Sequence, residues 1–139
     1  MKPSNLFLLL IIALGLSHCD RIEREEVRQI EGYWEIESVQ TKGEVFQPKG
    51  NAPSVDYYFF SSDSTGFKKK LSPRVIGNYE TSEDQVQFSV HEENGVMSFH
   101  FKTPLESWKE EIKSIAPERL ILFHNGMEYH YKRHEKIAL

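Results

Sequence analysis

The sequence predicts an all-β fold, an antiparallel up-and-down β-barrel of about eight to nine strands, with a short N-terminal helix after an apolar leader. Three observations lead there. After Gly32 the chain breaks into short runs rich in aromatic and β-branched residues, separated by turn chemistry. Several runs alternate apolar and polar residues, the period of a strand with one buried face. Asn-Gly stands between such runs at Asn94-Gly95 and Asn125-Gly126, and both residues of that pair accept the positive φ that a type I′ hairpin requires.

The leader comprises Lys2, an apolar run from Leu6 to Leu16, and a short exit through Ser17 and His18 to Cys19. The run is too short for a stable membrane span, which needs about 20 apolar residues, and it has the layout of a secretory signal. An exported chain with one thiol forms no internal disulfide, so Cys19 needs another reason to be there. Leu16-Ser17-His18-Cys19 resembles the lipobox of bacterial lipoproteins. Ser17 fits the small position, whereas His18 departs from the usual Gly, Ala or Ser. The resemblance implies cleavage before Cys19, lipid on its thiol, and a membrane partner reached through that lipid. A plain signal peptide with a leftover cysteine is the alternative.

Cleavage leaves 121 residues, enough for one domain with a real core. The expected organisation is a signal peptide over 1–18, a lipidated tether and short helix over 19–31, and a β-domain over 32–139. The mature chain balances 16 Lys+Arg against 21 Asp+Glu, a charge of −5 with His neutral. Mild acidity argues against nucleic acid, whose phosphates call for a basic surface.

Between Asp20 and Ile30, Ile22, Val27 and Ile30 share one helical face, and Glu23 stands three residues after Asp20 as in a capping box. This helix is either a spacer beside the lipid or a closure for one end of the domain. Strands are predicted over Tyr33–Gln40, Val55–Ser61, Gly66–Leu71, Arg74–Thr81, Gln85–His91, Val96–Lys102, Ser107–Ile115, Arg119–His124 and Met127–Arg133. Lys42 to Pro53, with two prolines and two glycines, reads as the only long loop. Short turns elsewhere favour a meander closed into a barrel, which leaves no exposed edges; a two-sheet sandwich is the structural alternative.

Alternation assigns Trp34, Ile36, Tyr58, Phe67, Tyr79, Phe88, Phe99, Trp108 and Tyr129 to the inner face. Eight strands enclose a space that side chains fill or that holds one small ligand, and both outcomes stay open. Glu110 shares parity with Trp108 and Ile112, so it either faces inward, toward a ligand's polar end or a buried cation, or is turned to water by a bulge. Tyr57-Tyr58-Phe59-Phe60 is aromatic on both faces, so its outward members need cover from the helix, the long loop or a partner. Lys68-Lys69-Lys70 reads as a solvated strand end, with contact to anionic headgroups as the alternative.

At the first strand, Ile30-Glu31-Gly32-Tyr33-Trp34-Glu35-Ile36 resembles the opening of the lipocalin superfamily, and in particular the small lipocalin-like domains of exported bacterial lipoproteins. Gly32-x-Trp34 carries the match. Gly77-Asn78-Tyr79 and Tyr129-His130-Tyr131-Lys132-Arg133 fit the same pattern. The resemblance implies that Arg133 on the last strand packs over Trp34 beside Gly32 and closes the barrel floor. It also implies a cup that binds a small hydrophobic molecule, for which the interior residues Tyr58, Tyr79, Phe88, Phe99, Trp108 and Glu110 are the candidates. Fold alone does not identify that molecule.

No catalytic residue, cofactor or metal site is expected. The chain has no Gly-x-Ser-x-Gly elbow and no glycine-rich phosphate loop before a helix, and its only cysteine is committed to lipid. Five histidines remain after cleavage, but His100 and His130 fall on the polar parity, and His124 borders a turn. His130 and His134, four apart in an extended chain, stand roughly 13 Å apart, too far to share an ion. The expected function is that of a membrane-anchored binding protein of the bacterial envelope, at the outer membrane in preference to the inner. The alternative is a non-enzymatic accessory subunit of an envelope complex with a filled barrel and a protein partner.

Overall fold

The computed structural model describes residues 21–50, 54–73, 79–81 and 85–135. The leader, Cys19 and Asp20 lie outside the described residues. The strands are β1 (Gly32–Thr41), β2 (Glu44–Phe46), β3 (Val55–Phe60), β4 (Thr65–Pro73), β5 (Tyr79–Thr81), β6 (Val86–Glu93), β7 (Val96–Lys102), β8 (Ser107–Ile115), β9 (Arg119–His124) and β10 (Met127–Arg133). Among the described residues, β1, β3, β4, β6, β7, β8, β9 and β10 pair in chain order, all antiparallel, and β10 returns to β1. That last pairing, from Trp34↔Arg133 to Gln40↔Glu128, closes the barrel and rules out a two-sheet sandwich.

Two expectations about segments change. The stretch read as one long loop holds β2, which folds back on the end of β1 through Val39↔Phe46 to Thr41↔Glu44. Too short and too exposed to show alternation, β2 carried no periodic signal. Of the strand expected over Arg74–Thr81, the described part is β5, paired with the far end of β4; residues 74–78 lie outside the described residues. Both Asn-Gly hairpins form as expected, with φ of 52° and 80° at Asn94 and Gly95, and 50° and 76° at Asn125 and Gly126.

The two ends of the barrel differ. At one end, residues Glu26–Ile30 form a single 3-10 helix within the stretch where a short helix was expected. The Glu26 side chain accepts the backbone N–H of Glu23 at 2.7 Å, which places the capping interaction one turn later than the Asp20 and Glu23 spacing suggested. Val27 and Ile30 are fully buried among Trp34, Tyr58, Phe60, Phe99, Leu120 and Leu122, so this segment plugs that end. Each large apolar side chain taken fully out of water contributes about 1.5–3 kcal/mol. At the plugged end, Phe88 meets Phe99 edge to face at 5.1 Å and Phe101 at 5.6 Å. Gly66 is required beneath this cluster, since a Cβ there would stand 2.1 Å from the Phe59 carbonyl oxygen and 2.5 Å from Phe88 Cζ.

The inner face of β4 differs from expectation. Gly66 and Lys68 point inward, which puts Phe67 outside, stacked on Phe59 at 5.1 Å and edge-on to Tyr57 at 6.3 Å. Phe67 was assigned inward because an aromatic outranks a lysine in any hydrophobic count; register with β3 overrules that count. The outward Tyr57 packs on Tyr33 of the neighbouring strand at 4.9 Å, and Phe59 stacks on Phe67 but stays exposed, while the 3-10 helix packs inside the barrel.

Candidate ligand cavity

Among the described residues, the half of the barrel away from the plug is hollow. Val86, Lys102, Ser107, His124 and Met127 mark the strand ends around its mouth, and a cavity of about 460 Å³ extends inward from there. Ile36, Val86, Trp108, Tyr129 and Tyr131 supply its apolar and aromatic wall. Ser54, Asp56, Lys68, Lys70, Glu110 and His124 supply polar and charged groups. The barrel is therefore filled in one half and hollow in the other.

Local register sets each charge. Asp56 precedes Tyr58 by two on β3, and Lys68 and Lys70 follow Gly66 at the same parity on β4. All three therefore share the inner face of two paired strands. Lys70 lies opposite Asp56, with Nζ 4.0 Å from Oδ1, and its own side chain remains mostly solvated. Lys68 reaches across the interior, its ammonium 4.6 Å from the Phe101 ring centre and 5.8 Å from that of Tyr58. Such contacts contribute on the order of 0.5–2 kcal/mol. Lys68 makes no hydrogen bond or ion pair with any described residue, and neither does Asp56 beyond the long approach of Lys70.

Glu110 faces the cavity from β8. Its Oε1 accepts the indole N–H of Trp108 at 2.9 Å, and Trp108 stacks on Phe101 with ring centres 5.2 Å apart. Of the two orientations open in the sequence, the inward one is found. Burial raises the Asp56 carboxyl above its ordinary value, against the pull of Lys68 and Lys70, and Glu110 adds to the rise. Below the cavity, the fully buried Tyr58 hydroxyl has no hydrogen-bond partner. Burial pushes its ionisation well above the ordinary range, and Tyr131, Asp56 and Glu110 push further. The Ser54 hydroxyl is likewise buried without a partner.

Of the six expected ligand-binding residues, Trp108 and Glu110 line the cavity, and so do Ile36 and Tyr129 of the expected inner face. Tyr58, Phe88 and Phe99 lie deeper, in the packed half. Tyr79 sits on β5, and its side chain lies outside the described residues. Asp56, Lys68, Lys70 and His124 were missed, because charged residues in a strand are read as its wet face. The lysine run reads differently once placed: Lys68 and Lys70 face the cavity and only Lys69 faces out, 6.0 Å from the Phe67 ring. Strict alternation from Tyr58 would have found Asp56.

At the plugged end, the Arg133 guanidinium lies 3.9 Å over the Trp34 ring and donates to the carbonyls of Gln29, Glu31 and Pro117 at 2.7, 2.7 and 2.8 Å. Trp34 Nε1 donates to the Ile30 carbonyl at 2.7 Å. Gly32, at φ 118°, leaves room for Arg133, whose Nη1 would stand 2.9 Å from a Cβ there.

No protein-family model and no curated protein matches the chain. Solved structures from two Bacteroides species are among those similar to it. A lipocalin-like protein from Bacteroides uniformis ATCC 8492 shares 11% identity at a TM-score of 0.49, over 76% of this chain and 99% of that one. An uncharacterized protein from Bacteroides eggerthii DSM 20697 shares 11% identity at a TM-score of 0.48, over 75% and 98%. By its own topology, a closed antiparallel barrel of eight strands in chain order, this chain has the architecture of a lipocalin-like domain.

Proposed function

We propose that this protein is an exported bacterial lipoprotein, acylated at Cys19, that binds a small molecule in the open half of its barrel. One observation carries the binding reading: a cavity of about 460 Å³ inside an otherwise packed barrel, lined by aromatic rings and by charged groups of which Asp56 and Lys68 have no close polar partner among the described residues. Ligand sites are typically concavities of about 300–1,000 Å³ with an apolar wall and a few fixed polar groups. The leader and the Leu16-Ser17-His18-Cys19 motif support export and anchoring, with the outer membrane preferred. No reaction is assigned to the cavity.

Native mass spectrometry of the protein purified from its host tests the binding reading. A retained small molecule that is lost on denaturation is expected, and a uniformly empty protein would count against it. Labelling cells with an alkyne fatty acid tests the anchor, since signal should appear in the wild type and vanish in Cys19→Ala.

A second reading, an accessory subunit of an envelope complex, draws on Val45, Phe46 and Leu105, which are apolar and exposed toward the open end. Stoichiometric partners retained through gentle detergent extraction would favour it.

A further inference from the structure

The cavity wall combines charges of both signs with an apolar surface. Asp56 and Lys68 are diagonal neighbours on the inner face of β3 and β4, since Asp56 pairs with Lys70 and Tyr58 with Lys68. Asp56 receives no hydrogen bond from a described residue, and the Lys68 ammonium rests on ring faces alone. A hydrocarbon entering this space would displace water from Asp56 and Lys68 and return nothing, at a cost above the about 1–3 kcal/mol of one unmade neutral hydrogen bond.

A ligand with a single charge fits poorly as well. The lining holds two carboxylates, Asp56 and Glu110, and two ammonium groups, Lys68 and Lys70. An anion would satisfy Lys68 and crowd Asp56, while a cation would do the reverse. Sites built to hydrogen-bond a polar group reject analogues that lack it far more strongly than apolar walls reject a change of shape.

Taking the cavity as a binding site, we infer that its ligand is a dipolar amphiphile: an apolar or aromatic body bearing an ammonium and a carboxylate close together, as in an α-amino acid with a large apolar side chain. The carboxylate sits on Lys68. The ammonium sits on Asp56. The body lies against Trp108, Tyr129, Tyr131, Ile36 and Val86.

Four molecules sharing one ring system test this by calorimetric titration of the intact mature protein. They are 2-naphthylalanine, with both charges; 3-(2-naphthyl)propionate, with the carboxylate alone; 2-(2-naphthyl)ethylamine, with the ammonium alone; and 2-ethylnaphthalene, with neither. The dipolar molecule is expected to bind at least tenfold more tightly than the other three. Lys68→Met should bring it down to the level of the amine, and Asp56→Asn down to that of the propionate. Equal or tighter binding of ethylnaphthalene overturns the inference and leaves the cavity a hydrophobic binding site, and a singly charged molecule in first place overturns it too. Binding by none of the four at millimolar concentration counts against the cavity as a site for aromatic ligands and removes the inference with it. The wild-type comparison needs no variant to fold.

Discussion

The guanidinium of Arg133 lies 3.9 Å over the ring of Trp34, so the last strand is clasped to the first at the plugged end of the barrel. The same guanidinium donates to three carbonyls, two of them in the last turn of the 3-10 helix, at Gln29, and just after it, at Glu31. Arg133→Ala removes all of these contacts and leaves the carbonyls to water or to nothing. A loss of about 3 kcal/mol is expected in denaturant melts, with Arg133→Lys falling between, because a lysine cannot donate in three fixed directions. Wild-type stability in Arg133→Ala would show the clasp to be ornamental.

Gly32 makes room for that clasp. Its φ of 118° is a conformation that side chains rarely adopt, and a Cβ would press on Arg133 Nη1. Gly32→Ala should therefore cost about 2 kcal/mol or more, combining backbone strain with displacement of the guanidinium. In a double-mutant cycle with Arg133→Ala, the two losses should sum to more than the double variant shows, since the second substitution relieves the clash. Strict additivity would argue that Gly32 acts through its backbone alone.

Asp56 is expected to reduce stability at neutral pH. Its carboxyl titrates above the ordinary value of 3.8 in the folded state, mainly through burial, so the fold binds its proton more tightly than the unfolded chain does. Stability from this group is fully present below the unfolded value and is lost as pH rises through the folded one. Asp56→Asn should melt at a higher temperature than wild type at pH 7, with the gap closing toward pH 3. Lys70, left without its distant partner, is mostly solvated and loses little. A variant that melts lower than wild type at pH 7 would contradict the burial argument.

Tyr58→Phe removes a buried hydroxyl that has no partner. Deleting an unsatisfied group should be neutral or stabilising by up to about 1 kcal/mol, whereas truncation of a tyrosine bonded in the core costs stability. Equilibrium unfolding in urea distinguishes the two, and a clear loss would mean that the hydroxyl is satisfied in solution.

Strand order and hairpins were legible in the sequence because short-range chemistry sets them. Val86, Phe88 and Val90 alternate with polar neighbours, and Asn94-Gly95 and Asn125-Gly126 accept positive φ wherever they occur. Gly32, Trp34 and Arg133 were legible only through the lipocalin resemblance, as nothing local joins residues about a hundred positions apart. The leader and Cys19 are likewise read from residue order alone.

The cavity was a different matter. Whether an inner face is packed or hollow depends on what eight strands bring to one level, and the sequence left both outcomes open. Closure of β10 on β1 places Asp56, Lys68, Lys70 and Glu110 around one space, where hydrophobic patterning had put the lysines in water and Phe67 inside. Patterning ranks residues by polarity, and a barrel interior lined with charged side chains violates that ranking. Only the register between paired strands, a long-range property of the closed fold, decides which face each charge occupies.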